Sequence, residues 1–269
     1  MRPTDAVAAM AAEVSLGLMV DRRRPGPDRP LPEAMRFVSP VDLDGGDPGV
    51  SAWLVRSSHG SLLPSQVVSS GFGVQVRLMD RFYLPETRDP GLVRTMFDLI
   101  ADLYEGLVAR DVNLATAREL LGQVLGTAGP APLILDFGCG TGIAAEALAS
   151  LGAQARLLGI DLSMAMLRRA LARGEPVMSL DKWRDAPPLV DGAIACFVLH
   201  YGVPDEDLRL IARSLLPGCS FSANFFRGSA QQAWALAQSL TSEGLELVGQ
   251  AEISGTRATN VLITFRKRQ

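Results

Sequence analysis

Three cysteines in 269 residues, Cys139, Cys196 and Cys219, stand far apart and form no CxxC pair. Such spacing supports neither a zinc site nor a disulfide framework, and an odd number cannot all pair within one chain. Histidine is scarcer still, present as His59 and His200. No apolar run reaches the roughly 18 residues that a membrane-spanning helix needs, because Asp, Glu, Arg or Gly interrupts every candidate. Aromatic residues make up 6% of the chain, and the formal net charge of −3 gives no overall attraction to phosphate backbones. A nucleic-acid partner, which calls for a basic and aromatic stripe, is therefore disfavoured.

What the chain does have is apolar bulk. Hydrophobic residues are 48% of the total, enough to bury the core of a full α/β domain beside a smaller accessory region. Ala6 to Val20 looks like a signal-peptide core in composition only. Asp5 precedes it, Glu13 sits inside it and Arg22-Arg23-Arg24 follows it, an order wrong for secretion that points to a cytoplasmic protein. Val7, Met10, Ala11, Val14 and Leu18 fall on one face of a helix, predicting a packing element or a dimerising one that would make a homodimer.

Asp21 to Pro32, rich in Arg, Pro, Gly and Asp, reads as a linker. Short strands or an irregular cap are expected at Val50 to Arg56 and Gln66 to Met79. From Pro90 onward Leu92, Met96, Ile100, Leu103 and Leu107 recur at helical spacing, and a second helix is expected over Ala115 to Leu125. Short apolar runs then alternate with helices: strands Leu133 to Asp136 and Arg156 to Asp161, helices Ile143 to Leu151 and Met164 to Ala172. Further strands are expected near Val177 to Leu180, Gly192 to Leu199, Ser220 to Phe225, Leu245 to Ile253 and Asn260 to Arg266. Alternation of this kind implies parallel strands covered by helices. The expected organisation is an N-terminal extension over residues 1–90 and an α/β domain over residues 91–269.

The chemistry concentrates in Leu135-Asp136-Phe137-Gly138-Cys139-Gly140-Thr141-Gly142, where an apolar strand ends in a carboxylate, three alternating glycines follow, and a helix opens at Ile143. Glycine lets the backbone turn sharply and approach a ligand, while free N–H groups at a helix start favour a negative group. A dinucleotide fingerprint would read G-x-G-x-x-G, whereas here the order is G-x-G-x-G with an acid two residues before the first glycine. An acid there suits a cationic ammonium and would repel a pyrophosphate. A Gly-rich turn without ligand is the bland alternative. A second strand ends in Ile160-Asp161-Leu162-Ser163-Met164, 23 residues after Gly138. Asp161 there can accept hydrogen bonds from two ribose hydroxyls, with Leu162 and Met164 beside a base, or Asp161 or Ser163 can simply cap the next helix.

Together these segments resemble the class I S-adenosylmethionine-dependent methyltransferases, whose pattern reads D-x-G-C-G-T-G and then I-D-x-S-x-x-M-L. The later Val198-Leu199-His200-Tyr201 and Leu215-Leu216-Pro217-Gly218 are similar to the family too, and the likeness runs from about Phe97 to Phe265. It implies a Rossmann-like α/β fold with a mostly parallel seven-stranded sheet and helices on both faces, ending in a hairpin. It further implies S-adenosylmethionine as cofactor, S-adenosylhomocysteine as product, and Asp136, Gly138, Cys139 and Gly140 around the methionyl part. Asp161 would hold ribose, Leu162 and Asp181 would lie at adenine, and Tyr104 would fold over the cofactor. Asp181-Lys182-Trp183 departs from the acid and small residue usual there, so a surface turn is the competing reading of Asp181.

His200 follows an apolar strand at its carboxyl end, where open α/β sheets place ligands, and is the candidate general base for a hydroxyl acceptor. An ordering role in the loop competes with that. The acceptor expected is a small organic molecule, methylated on oxygen in specialised metabolism. A non-methylating, cyclase-like enzyme or a regulatory protein that binds the same cofactor is the alternative.

Overall fold

A computed structural model describes residues 15–21, 35–41, 51–57, 67–69, 75–79, 82–85, 90, 93–94, 97–98, 101–102, 104–226, 230–252 and 260–269. Its contacts divide the chain into two units, Met1–Leu107 and Val108–Gln269.

The first unit holds a six-stranded sheet of β1 (Ser15–Asp21), β2 (Met35–Val41), β3 (Ser51–Ser57), β4 (Val67–Ser69), β5 (Gln75–Met79) and β6 (Phe82–Pro85), in the order β2-β3-β1-β6-β5-β4. Neighbours pair antiparallel except β1 and β6, which run parallel. β3, β4 and β5 fall where short strands are expected. β1 overturns the expectation of a helix through Leu18. Leu16, Leu18 and Val20 also alternate with period two, and pairing with β3 over the full length of β1 and with β6 on its other edge decides between two local patterns of similar strength. Val7, Met10, Ala11 and Val14 lie outside the described residues, as do Arg22 to Pro32 and His59. A short helix, α1 (Tyr104–Leu107), ends the unit.

In the second unit α2 (Arg110–Leu125) leads into alternating strands and helices: β7 (Leu133–Phe137), α3 (Ile143–Leu151), β8 (Arg156–Asp161), α4 (Met164–Ala172), β9 (Val177–Ser179), α5 (Leu180–Asp185), β10 (Val190–Ala195), α6 (Asp205–Ser214), β11 (Leu215–Phe226), α7 (Ala230–Thr241), β12 (Leu245–Glu252) and β13 (Asn260–Lys267). The sheet order is β12-β13-β11-β10-β7-β8-β9, and of the seven strands β13 runs against its neighbours. Helices α5, α6 and α7 were not among the sequence expectations, yet parallel neighbours cannot be joined by hairpins and need crossovers. β10 ends at Ala195, short of the expected Leu199, because Phe197 adopts φ +54° and breaks the extended backbone.

Strand residues alternate between two cores. Ile134, Leu157, Ile194 and Leu262 pack with Leu120, Leu121 and Val124 of α2 and Ala147 of α3. Leu135, Ala193 and Ile263 face the opposite way, toward Trp183 of α5, Ile211 of α6 and Leu240 of α7. Period two along each strand thus places helices on both faces of the sheet.

One ion pair ties α5 to α6. Arg184 donates through Nε and Nη2 to the two oxygens of Asp207 at 2.7 Å each, and the Asp207 side chain is only 2% exposed. Arg184→Ala leaves that carboxylate buried without its partner and is expected to cost about 1–3 kcal/mol in urea unfolding. Asp207→Asn is expected to cost less, because the Arg184 side chain already reaches solvent.

Candidate functional site

The sheet order reverses between β7 and β10: β8 and β9 lie to one side, β11 to the other. Open α/β sheets bind ligands in the crevice beyond the carboxyl ends of strands at such a point. The loop after β7 occupies that position, and backbone bonds hold it against β8. Gly138 and Cys139 donate their N–H groups to the Ile160 carbonyl at 2.8 and 2.9 Å. Gly140 donates to Asp161 Oδ2 at 2.9 Å, and Ser163 N–H donates to Asp161 Oδ1 at 2.8 Å. Asp161 therefore braces the glycine loop, while the helix cap is Ser163, whose Oγ accepts from Met166 N at 3.1 Å.

The loop fits a ligand that is anionic at one end and cationic beside it. Gly140 has φ +54°, and no described atom stands within 4 Å of where its Cβ would lie, which leaves an open cradle. α3 starts at once after Gly142, which as the N-cap makes no side-chain cap bond, and a helix start of this kind suits a carboxylate. Beside it lies buried acid. Asp136 is 2% exposed and Glu175 1% exposed. Apart from their interaction with each other, Asp136 Oδ1 and both Glu175 oxygens lack hydrogen-bond partners among the described residues. Burial raises Asp136 to about 7, against a lowering by the Glu175 hydrogen bond and a further rise from Asp161. Burial and the Asp136 charge raise Glu175 to about 10. Burial, with Asp161, Asp136 and Glu175 nearby, holds the Cys139 thiol well above its usual range, which keeps it neutral and unsuited to nucleophilic chemistry. Among the described residues no cluster of ligating side chains is arranged for a metal.

Residues 134–218 match the family described as "Methyltransferase domain". Those residues carry a methyltransferase domain. Its fold is similar to magnesium protoporphyrin IX methyltransferase from Synechocystis PCC 6803, solved with bound S-adenosylmethionine, at 18% identity and a TM-score of 0.54 over 66% of this chain and 97% of that one. It is similar as well to the [4+2]-cyclase SpnF, at 19% identity and a TM-score of 0.53 over 68% and 97% of the two chains. A malonyl-[acyl-carrier protein] O-methyltransferase from Methylovorus sp. (strain MP688) is 35% identical over 95 residues, which span 34% of this chain and 30% of that relative's length.

Within the methyltransferase domain the structure brings Asp136, Gly138, Cys139, Gly140 and Asp161 together in one strand-end cluster. Leu162 is half-buried and packs against the sheet core, whereas Met164, read as a neighbour of the base, is 52% exposed. Asp181 lies in the first turn of α5 with its side chain 89% exposed, 3.6 Å from Arg184. Trp183 beside it is fully buried and meets Phe137 edge-on at 5.6 Å. Tyr104 belongs to the first unit, where its ring meets Phe97 at 5.9 Å. His200 sits in a 3-10 turn, Leu199–Tyr201, its ring 4.1 Å from that of Tyr201. That turn is positioned by two residues the motifs did not flag. Asn224 Oδ1 accepts from Phe197 N at 2.7 Å, and Asn224 Nδ2 donates to Asn260 Oδ1 at 2.7 Å. A lone asparagine inside the apolar run of β11 was the available signal for Asn224; Glu175, in a short loop between α4 and β9, carried none.

Proposed function

We propose that this protein transfers a methyl group from S-adenosylmethionine to a small organic acceptor, with oxygen the atom methylated. The observation that carries the reading is the G-x-G-x-G loop at the reversal of strand order, flanked by two strand-end carboxylates. When bound, the cofactor supplies an electrophilic methyl on a sulfonium that the acceptor displaces in line, a reaction in which positioning supplies most of the acceleration. The start of α3 receives the methionyl carboxylate and Asp136 faces the ammonium. Asp161, whose two oxygens accept the backbone N–H groups of Gly140 and Ser163, faces the ribose hydroxyls. Leu162 lies toward adenine. Asp181 at the adenine edge and His200 as base for a hydroxyl acceptor complete the assignment. The O-methyltransferase relative and the porphyrin methyltransferase fold support oxygen and a small acceptor respectively. With this reading goes a cytoplasmic enzyme of specialised metabolism, acting as a homodimer.

Calorimetry with S-adenosylhomocysteine tests the donor half. Binding is expected, and Asp161→Ala is expected to weaken it about 10–100-fold, since hydrogen bonds to a charged acceptor and the brace on Gly140 are lost together. No measurable binding by the wild-type chain would sink the proposal. Methyl transfer is then read as S-adenosylhomocysteine formed with a panel of carboxylic acids and phenols. Cofactor binding with acceptor turnover but no S-adenosylhomocysteine would favour a cyclase-like activity, as the fold of SpnF allows.

A further inference from the structure

Glu175 has no place in the motif, yet it is packed into the middle of the cofactor cluster. Gly159 of β8 is the register partner of Asp136 on β7. Register partners in a parallel pair project to the same face, side by side. The space that a Gly159 side chain would fill beside Asp136 is instead shared by Glu175, whose Oε1 lies 2.7 Å from that Cβ position, and Cys139, whose Sγ lies 2.9 Å from it. Glu175 Oε2 lies 3.1 Å from the corresponding position on Gly142, the last loop glycine. One carboxyl thus sits beneath the glycine loop, against β8 and next to Asp136 at once.

Resting on the cofactor reading above, we propose that Glu175 is a positioning residue for S-adenosylmethionine: its protonated carboxyl donates to Asp136 and keeps Asp136 ionised and aimed at the cofactor ammonium. The other titratable groups facing the pair are Asp161 from β8, Cys139 from the loop and Cys196 after β10. Both thiols are raised far enough to stay neutral, so they add no charge. Asp161 is the remaining anion, and it pushes Asp136 toward protonation. The hydrogen bond from Glu175 opposes that push. Two buried carboxyls so placed share one proton at neutral pH, and the ligand ammonium meets a single negative charge.

The sign follows from Asp136 being the acid that must lose its proton. Cofactor affinity is held above about pH 7 and falls as pH drops through that value. The test is calorimetry with S-adenosylhomocysteine between pH 5.5 and 8.5 on the wild type, Glu175→Met and Glu175→Gln. Removing the donor in Glu175→Met is expected to move the acid limb up by about one pH unit and to weaken binding at pH 7 about tenfold. Glu175→Gln, which keeps a donor of the same reach, is expected to restore binding to within about threefold of wild type. If Glu175→Met follows the wild-type profile, or if Glu175→Gln is as weak as Glu175→Met, the positioning role is overturned while the cofactor site stands. A wild-type chain that binds at no pH overturns both.

Discussion

Gly138→Ala is expected to lower affinity for S-adenosylhomocysteine by about 100-fold or more while leaving a folded protein. Gly138 has φ +74°, and an added Cβ would stand 2.5 Å from Val198 Cγ2 and 2.8 Å from Val198 Cβ. The left-handed backbone alone costs an alanine about 1–2 kcal/mol, and the contact is shorter than two carbon atoms tolerate. Either Val198 retreats, dragging the Phe197 to His200 segment, or the loop lifts away from β8 and breaks the bonds from Gly138 and Cys139 to Ile160. Each route moves the Gly140 cradle and the start of α3, where small displacements are costly. Calorimetry checks the affinity and circular dichroism the fold. Val198→Ala in the Gly138→Ala background removes the γ-methyls and is expected to recover part of the loss, leaving the backbone strain. Binding by Gly138→Ala within threefold of wild type would refute this account of the loop.

The same geometry explains why the donor side was legible in the sequence. Its parts are local: Asp136, the glycines and α3 are consecutive, and Asp161 is recognisable as a second strand-end acid. Strand ends at Asp161 and helix limits at Ile143, Leu151, Met164 and Ala172 agree with the structure, because apolar period, glycine and cap residues all point the same way there. Glu175 could not be read, since nothing in Gly174-Glu175-Pro176 says that a parallel register leaves a space beside Asp136 for it to fill. Asp161 shows a subtler limit: the sequence left capping open as the alternative to ligand binding, and in the structure Ser163 does the capping while Asp161 bonds to the loop. Leu18 shows a third, since a pattern compatible with both periods is decided by partners far along the chain.

A second large effect lies away from the site, where α2 meets the sheet. Gly192 in β10 is the register partner of Ile134 in β7, and a Cβ there would lie 2.1 Å from Val124 Cγ1 and 3.0 Å from Ile134 Cδ1. Both neighbours are fully buried. Val124 is β-branched and in the last turn of α2, so its χ1 has little freedom to move the methyl aside. Gly192→Ala must therefore push α2 off the sheet or distort the β7 and β10 pairing, overpacking that typically costs about 1–3 kcal/mol. Urea unfolding is expected to show that loss. Val124→Ala alone opens a small cavity and is also destabilising, but combined with Gly192→Ala the new methyl fills the space the valine left. The double variant should thus be less destabilised than the sum of the two, with a favourable coupling of about 1 kcal/mol or more. Strict additivity would mean that the helix does not rest on the sheet at this point. Because Gly192 lies near the amino end of β10 and the glycine loop is fixed by β8, the folded Gly192→Ala protein should bind S-adenosylhomocysteine within about threefold of wild type, which separates an effect on packing from one on the cofactor site.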